Sequence, residues 1–166
     1  MERLIAFPPI ETPLSRVLIL GSMPSVVSLR KQEYYGHPTN AFWPIMERMC
    51  GYPLGSYEEK RRMIKESRLA LWDVLGSCKR EGSSDQGIRE GEVNDLPAFL
   101  SDHPLVTCII CNGTVAMRLC ERHVLRLHPV DIDVFSCPST SAANTMPFEQ
   151  KVSIWTNALH VALDLS

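Results

Sequence analysis

The sequence predicts a three-layer α/β/α sandwich built on a four-stranded parallel sheet. Two observations carry this. Short aliphatic runs alternate along the chain with longer segments whose apolar residues recur at helical spacing, and that alternation is the mark of strands joined by right-handed helical crossovers. The polar, glycine-containing segments also fall directly after the aliphatic runs, and sheets of this kind bind ligands at the carboxyl ends of their strands. With 166 residues the chain is read as one domain, residues 1–166, large enough to bury a core without disulfides or metal.

The first strand is RVLILG, residues 16–21, an aliphatic run closed by glycine. After YYGHPT, Asn40 is placed to cap a helix in which Phe42, Trp43, Ile45, Met46 and Met49 repeat at helical spacing up to Gly51. Ser56 with Glu59 three residues on is a capping-box pattern, and it opens the polar helix YEEKRRMIKESR. LALWDVLG, residues 69–76, reads as the second strand. Residues 76–95 hold glycine, serine and charge with little to bury, which reads as a long functional or mobile loop. A helix over about 96–101, the strand LVTCII and a helix over about 114–123 follow. DIDVFSC is the fourth strand, CPSTSAANTMP the turn after it, and residue 148 to about 163 the last helix.

Composition narrows the function classes. Hydrophobic residues make up 45% and charged residues 22%, with a formal net charge of -2, which describes a globular protein without the broad basic surface of many nucleic-acid binders. A DNA contact would have to come from a local patch and backbone amides. No stretch reaches the ~20 apolar residues of a membrane span, and the N-terminal residues lack the signal-peptide pattern; a cytoplasmic location is expected. Cys108 and Cys111 form a C-x-x-C pair among six cysteines. The pair lies inside an apolar strand, where positions three apart face opposite sides, so it cannot gather around one ion. No metal and no cofactor are expected.

The loops carry a resemblance. ILGSMPS at 19–25, YYGHPTNAFW at 34–43, LWDVL with the following GSSDQGIREGEVND, CNG at 111–113 and CPSTSAAN at 137–144 together resemble the uracil-DNA glycosylase superfamily, and within it the hypoxanthine-DNA (deoxyinosine) glycosylase family. The likeness runs from about residue 14 to 160. Two positions depart from the pattern: Ser25 stands where glycine is expected, and Ala142 or Ala143 where proline is expected.

The resemblance implies roles for particular side chains. Asn40 matches the asparagine that holds the attacking water, although the residues alone read more simply as a helix cap. Tyr35 matches the aromatic on which an extruded base stacks, Asn112 the base-reading amide, and Met23 a base-pocket position where other branches carry a polar residue. Ser139, Thr140 and Ser141, with Ser22, match loops that meet the DNA backbone and press into the duplex. His37 is a possible accessory donor. Tyr34 is read as structural, and Lys79, Arg80 and Arg89 as further candidates for phosphate contact.

The implied activity is a monofunctional glycosylase that releases hypoxanthine from damaged DNA. The bases uracil and mismatched thymine stay open, as does a non-catalytic module that binds a nucleotide or damaged DNA. DNA is the expected partner and a monomer the expected state. A serine hydrolase and a dinucleotide-binding enzyme are disfavoured, because neither G-x-S-x-G nor G-x-G-x-x-G occurs.

Overall fold

A computed structural model describes residues 1–126 and 131–164. In chain order the elements are β1 (Arg3–Ile5), β2 (Val17–Gly21), α1 (Val26–Lys31), α2 (Phe42–Cys50), α3 (Tyr57–Glu66), β3 (Leu69–Asp73), β4 (Leu75–Lys79), β5 (Arg89–Val93), α4 (Leu96–Asp102), β6 (Cys108–Asn112), α5 (Thr114–Cys120), β7 (Asp133–Cys137) and α6 (Phe148–Ala162).

The predicted parallel sheet is present, with strand order β3-β2-β6-β7. β2 lies in its centre, pairing in parallel with β3 from Val17↔Leu69 to Gly21↔Asp73 and with β6 from Val17↔Cys108 to Leu20↔Cys111. All five residues of β2 are buried, as a strand covered by helices on both faces must be. Alternation divides its side chains. Val17 and Ile19 join Trp155, Phe42, Ile45 and Met46 on one face, while Leu18 and Leu20 join Leu96, Phe99 and Val124 on the other. Cys108 belongs to the first core and Cys111 to the second, so the C-x-x-C pair is split by the sheet as its spacing predicts.

The segment expected to be a loop at 76–95 is folded. Val74 ends the parallel pairing, with its N–H donating to Gly21 O, and the chain continues as β4 into a second, antiparallel sheet of order β1-β4-β5. The strand read over 69–76 is thus two strands in two sheets. β5, REGEV, is exposed at every position, so it lacks the period-2 apolar signal by which a strand is recognised. Its stability comes from pairing, with Arg3 donating to Ser77 Oγ and Glu90 O and Lys79 meeting Glu90 at 2.9 Å.

Helix boundaries moved by small amounts for local reasons. Ser56 Oγ accepts the Glu59 N–H, and the Glu59 carboxylate reaches back to the Gly55 N–H, one residue before the usual box position. The predicted helix at 114–123 keeps its α form only to Cys120 and continues as a π-helical turn over Glu121–Leu125. α1 was not expected. Ser25, the departure from the family pattern, caps it by accepting the Ser28 N–H.

Candidate active site

The carboxyl ends of β2, β3, β6 and β7 present Gly21, Asp73, Asn112 and Cys137 on one edge. Each loop beyond that edge is held by bonds traceable to residue type. The YYGHPT loop is anchored by its first tyrosine: Tyr34 is buried, its hydroxyl donates to Pro8 O at 2.8 Å, and its carbonyl accepts the Trp43 indole N–H. That anchoring makes Tyr34 structural. α1 fastens the same loop from the side, since Ser28 Oγ accepts the Gly36 N–H and Lys31 Nζ donates to Gly36 O.

Tyr35 then takes a left-handed backbone, φ 52°, uncommon for a bulky residue and found where surroundings over-determine it. One face of its ring stacks on Phe42 with centroids 4.1 Å apart. Its hydroxyl is turned toward the strand ends. A methyl in place of a Gly21 hydrogen would lie 2.5 Å from Asp73 Oδ1 and 3.3 Å from the Tyr35 hydroxyl, so a larger residue there would have to displace the Asp73 carboxyl. Burial, with Asp73 beside it, pushes the Tyr35 phenol above its usual range.

Thr140 knits three loops together. It is 1% exposed. Its N–H donates to Asn112 Oδ1 and its Oγ1 accepts from Asn112 Nδ2, both at 3.0 Å, while its carbonyl accepts the Ala41 N–H at 2.9 Å. This clip fixes which end of the Asn112 amide is oxygen, since a flipped amide would set donor against donor. Gly113, with φ 95°, lets the 138–140 segment lie against β6, because a methyl there would be 3.0 Å from Ser139 Cβ.

Asn40, Asn112 and the serine-rich loop lie around one edge of the sheet, while other expected site residues are buried or paired elsewhere. Asn40 does cap: its Oδ1 accepts the Phe42 N–H at 2.9 Å. An amide oxygen has a second lone pair and the amide two N–H groups, so capping leaves capacity for a water. Thr140 is sealed and fully paired, so it holds the loop and is no phosphate contact in this arrangement. Ser139 is half-buried and Ser141 exposed, beside the exposed Ala142 and Ala143. Ser22 is buried and donates to Asp85 Oδ1 at 2.6 Å. Met23 is buried with Leu75 and Cys78. His37 is exposed, its Nδ1 accepting the Thr39 N–H of its own turn. Among the cations, Arg80 is buried and donates to Gly82 O and Pro24 O, while Lys79 is paired with Glu90; Arg89 is exposed with its guanidinium on Gln86 O and Ile88 O.

Two residues escaped the sequence reading. Lys151, on α6, is 4% exposed and donates to Ser141 O and Asn144 O at 3.1 and 2.8 Å, holding the loop from beneath. Burial lowers its pKa. Asp73 is the other. The residue is 3% exposed, and burial, then the negative Asp85, push its carboxyl up to about 7 against the opposing pull of Arg80. A carboxylate closing the otherwise apolar strand LALWD was the available signal.

The sequence model of the uracil DNA glycosylase superfamily matches residues 8–160. The chain belongs to this superfamily. As a superfamily member it is a DNA glycosylase, an enzyme that hydrolyses N-glycosyl bonds. Among its relatives is the hypoxanthine DNA glycosylase of Methanosarcina barkeri, 32% identical over 154 residues, covering 92% of this chain and 95% of the relative. Another is the hypoxanthine DNA glycosylase of Methanosarcina acetivorans, 35% identical over 151 residues, covering 90% and 93%. A solution NMR structure of a candidate uracil DNA glycosylase from Methanosarcina acetivorans superposes with a TM-score of 0.83 at 34% identity, covering 97% of this chain and 99% of that one. The glycosylase's strand-end edge, with its Thr140 clip, is therefore the place to look for the reaction.

Proposed function

We propose that this glycosylase releases hypoxanthine from deoxyinosine in DNA, with Asn40 holding the attacking water and the site built on Tyr35, Asn112 and Asp73. The observation that carries the reading is the Thr140 clip, which joins the amino end of α2, where Asn40 sits, to the end of β6, where Asn112 sits. Cleaving an N-glycosidic bond needs an extruded nucleotide, a hold on the base and a water behind the anomeric carbon, and the transition state gathers positive charge on the sugar. Asn40 is no strong base. Its amide can orient a water, and orientation is where its contribution lies. The ring of Tyr35, backed by Phe42 on one face, supports stacking of a base on the other, a contact worth ~1–3 kcal/mol per base.

The names of the curated relatives favour hypoxanthine, and that of the similar solved structure keeps uracil in the comparison. The loop tip Ser141–Ala143 is small and uncharged, which supports insertion at the duplex, and Ser139 supports a backbone contact. Among the described residues, the lysine amines on these loops are engaged with backbone, Lys151 Nζ with Ser141 O and Asn144 O and Lys31 Nζ with Gly36 O. Strand cleavage coupled through a Schiff base is therefore not part of the proposal.

End-labelled duplexes with one deoxyinosine, deoxyuridine or mismatched thymine, followed by alkaline cleavage of abasic sites, test this. Cleavage at deoxyinosine is expected, falling roughly a hundredfold or more in Asn40→Ala, with Asn40→Asp as a variant that keeps the cap on Phe42. Cleavage at deoxyuridine alone would keep the reaction and replace the substrate. Wild-type-like cleavage by Asn40→Ala would remove Asn40 from the chemistry.

A further inference from the structure

Arg118, Arg122 and Arg126 stand four residues apart along α5 and the π-helical turn that continues it, and all three are exposed. Residues at that spacing share one face of a helix, where like charges destabilise it. Elsewhere on the surface, arginines meet an acid: Arg48 pairs with Glu149 and Arg62 with Glu58. Among the described residues, none of the three guanidiniums on this face is ion-paired or hydrogen-bonded. Only one carboxylate is close by, Glu121, which lines an open cavity of about 310 Å³ together with the three arginines, Val115 and Leu119.

A cation at the carboxyl end of a helix is favoured by the helix dipole, which explains Arg126 at the close of the π-helical turn. The dipole does not explain Arg118 and Arg122, which lie inside the continuous helical stretch. Their mutual repulsion is a standing cost that an external polyanion would remove. Position selects that polyanion. α5 begins at Thr114, directly after the Asn112–Gly113 turn at the strand-end edge, so the arginine ladder starts about one helical turn from that edge and descends beside it.

We infer that Arg118, Arg122 and Arg126 form a second DNA-contact surface, on the α5 flank of the strand-end edge, that holds phosphates of the duplex arm beside the lesion. The dimensions agree. Four residues of α-helix rise ~6 Å, so the ladder spans about 12 Å, and phosphates along one DNA strand rise ~3.4 Å each; three guanidiniums thus run the length of three to four phosphates. Chemistry agrees as well, since the guanidinium is a planar, weakly hydrated fork suited to phosphate, and this face carries no lysine. Because the ladder descends from the edge, the arm it holds bends toward it, a deformation that the added contacts offset. Phosphate contacts carry no base information. The surface therefore goes beyond the proposed function and serves whichever base is excised.

Fluorescence anisotropy of two labelled duplexes, one undamaged and one carrying a single deoxyinosine, read as a function of salt concentration, tests the contact without requiring cleavage. Arg118→Gln, Arg122→Gln and Arg126→Gln should each make the slope of log affinity against log salt shallower by about 0.9, and the triple variant by about 2.7, with the same fold loss on both duplexes. Arg122→Lys, which keeps the charge, should keep the slope. The triple variant should melt no lower than wild type, because it loses only repulsion. A lower melting temperature would assign the arginines to the fold and overturn the inference. An unchanged slope in a folded triple variant would also overturn it, leaving the face to an acidic protein segment, as would a loss confined to the deoxyinosine duplex. If the slopes change as expected but no duplex is cut, the proposed reaction fails and the contact stands. If deoxyinosine is excised and the slopes ignore the arginines, the contact alone fails.

Discussion

Asp73 illustrates what a single buried group costs the fold. In the unfolded chain its carboxyl ionises near pH 3.8, and in the folded protein near 7. The folded state therefore keeps a proton that the unfolded state releases, and its stability falls as the pH climbs from about 4 to about 7, then levels off. A shift of this size corresponds to about 4 kcal/mol at neutral pH. Asp73→Asn removes the titration, so it should unfold at higher temperature than wild type at pH 8 and lose that advantage at pH 4. Melting curves at the two pH values check the sign. Equal melting at both would mean that the carboxyl is solvated or already paired. Thr140 is the opposite kind of residue: its N–H, Oγ1 and carbonyl are all engaged within the protein, so it holds the loops in place.

Among the elements, the parallel sheet was legible because VLILG and LALWD are aliphatic nearly throughout, and only strands buried on both faces look like that. α2 was legible from its apolar stripe and α3 from Ser56 and Glu59. β5 was not, since REGEV offers no apolar alternation, and its strand form comes wholly from β4 beside it. The first loop hid α1 because VVSLRK gives only six residues to read. For the candidate site, the resemblance put forward Asn40, Tyr35 and Asn112, but partnership could not be read from residue types: a serine-rich run looked like a phosphate cradle, whereas Thr140 turns inward and a lysine from α6 supports the run. That lysine sets an element-scale expectation. Lys151→Met keeps the length and apolar stem while deleting the bonds to Ser141 O and Asn144 O. Amides of residues 139–146 should exchange faster by roughly tenfold, and duplex affinity should fall with little change in free-base binding. Unchanged exchange would show that Trp155, which donates to Pro138 O at 2.8 Å, holds the loop by itself.

Taken as a whole, the molecule approaches a polyanion while carrying a net charge of -2. Long-range attraction is therefore small, and under the proposed function binding rests on contacts made at the strand-end edge. The cations nearest that edge are mostly committed, Arg80 to Gly82 O and Pro24 O, Lys79 to Glu90 and Lys151 to its loop. Under the proposed function the edge offers DNA the small, uncharged run from Ser139 to Ala143 and the backbone amides around it. Each phosphate neutralised by a cation contributes about -0.9 to the slope of log affinity against log salt. Few are available, so the slope for a lesion duplex should be no steeper than about -4, shallower than for proteins that neutralise a long stretch of backbone. Fluorescence anisotropy of a labelled deoxyinosine duplex from 50 to 200 mM salt, with the Asn40→Ala protein expected to cleave slowly, measures it. A slope near -8 would mean that a basic face away from the strand ends also lies on the duplex; a shallow one would place recognition in the extruded base and the loops that receive it.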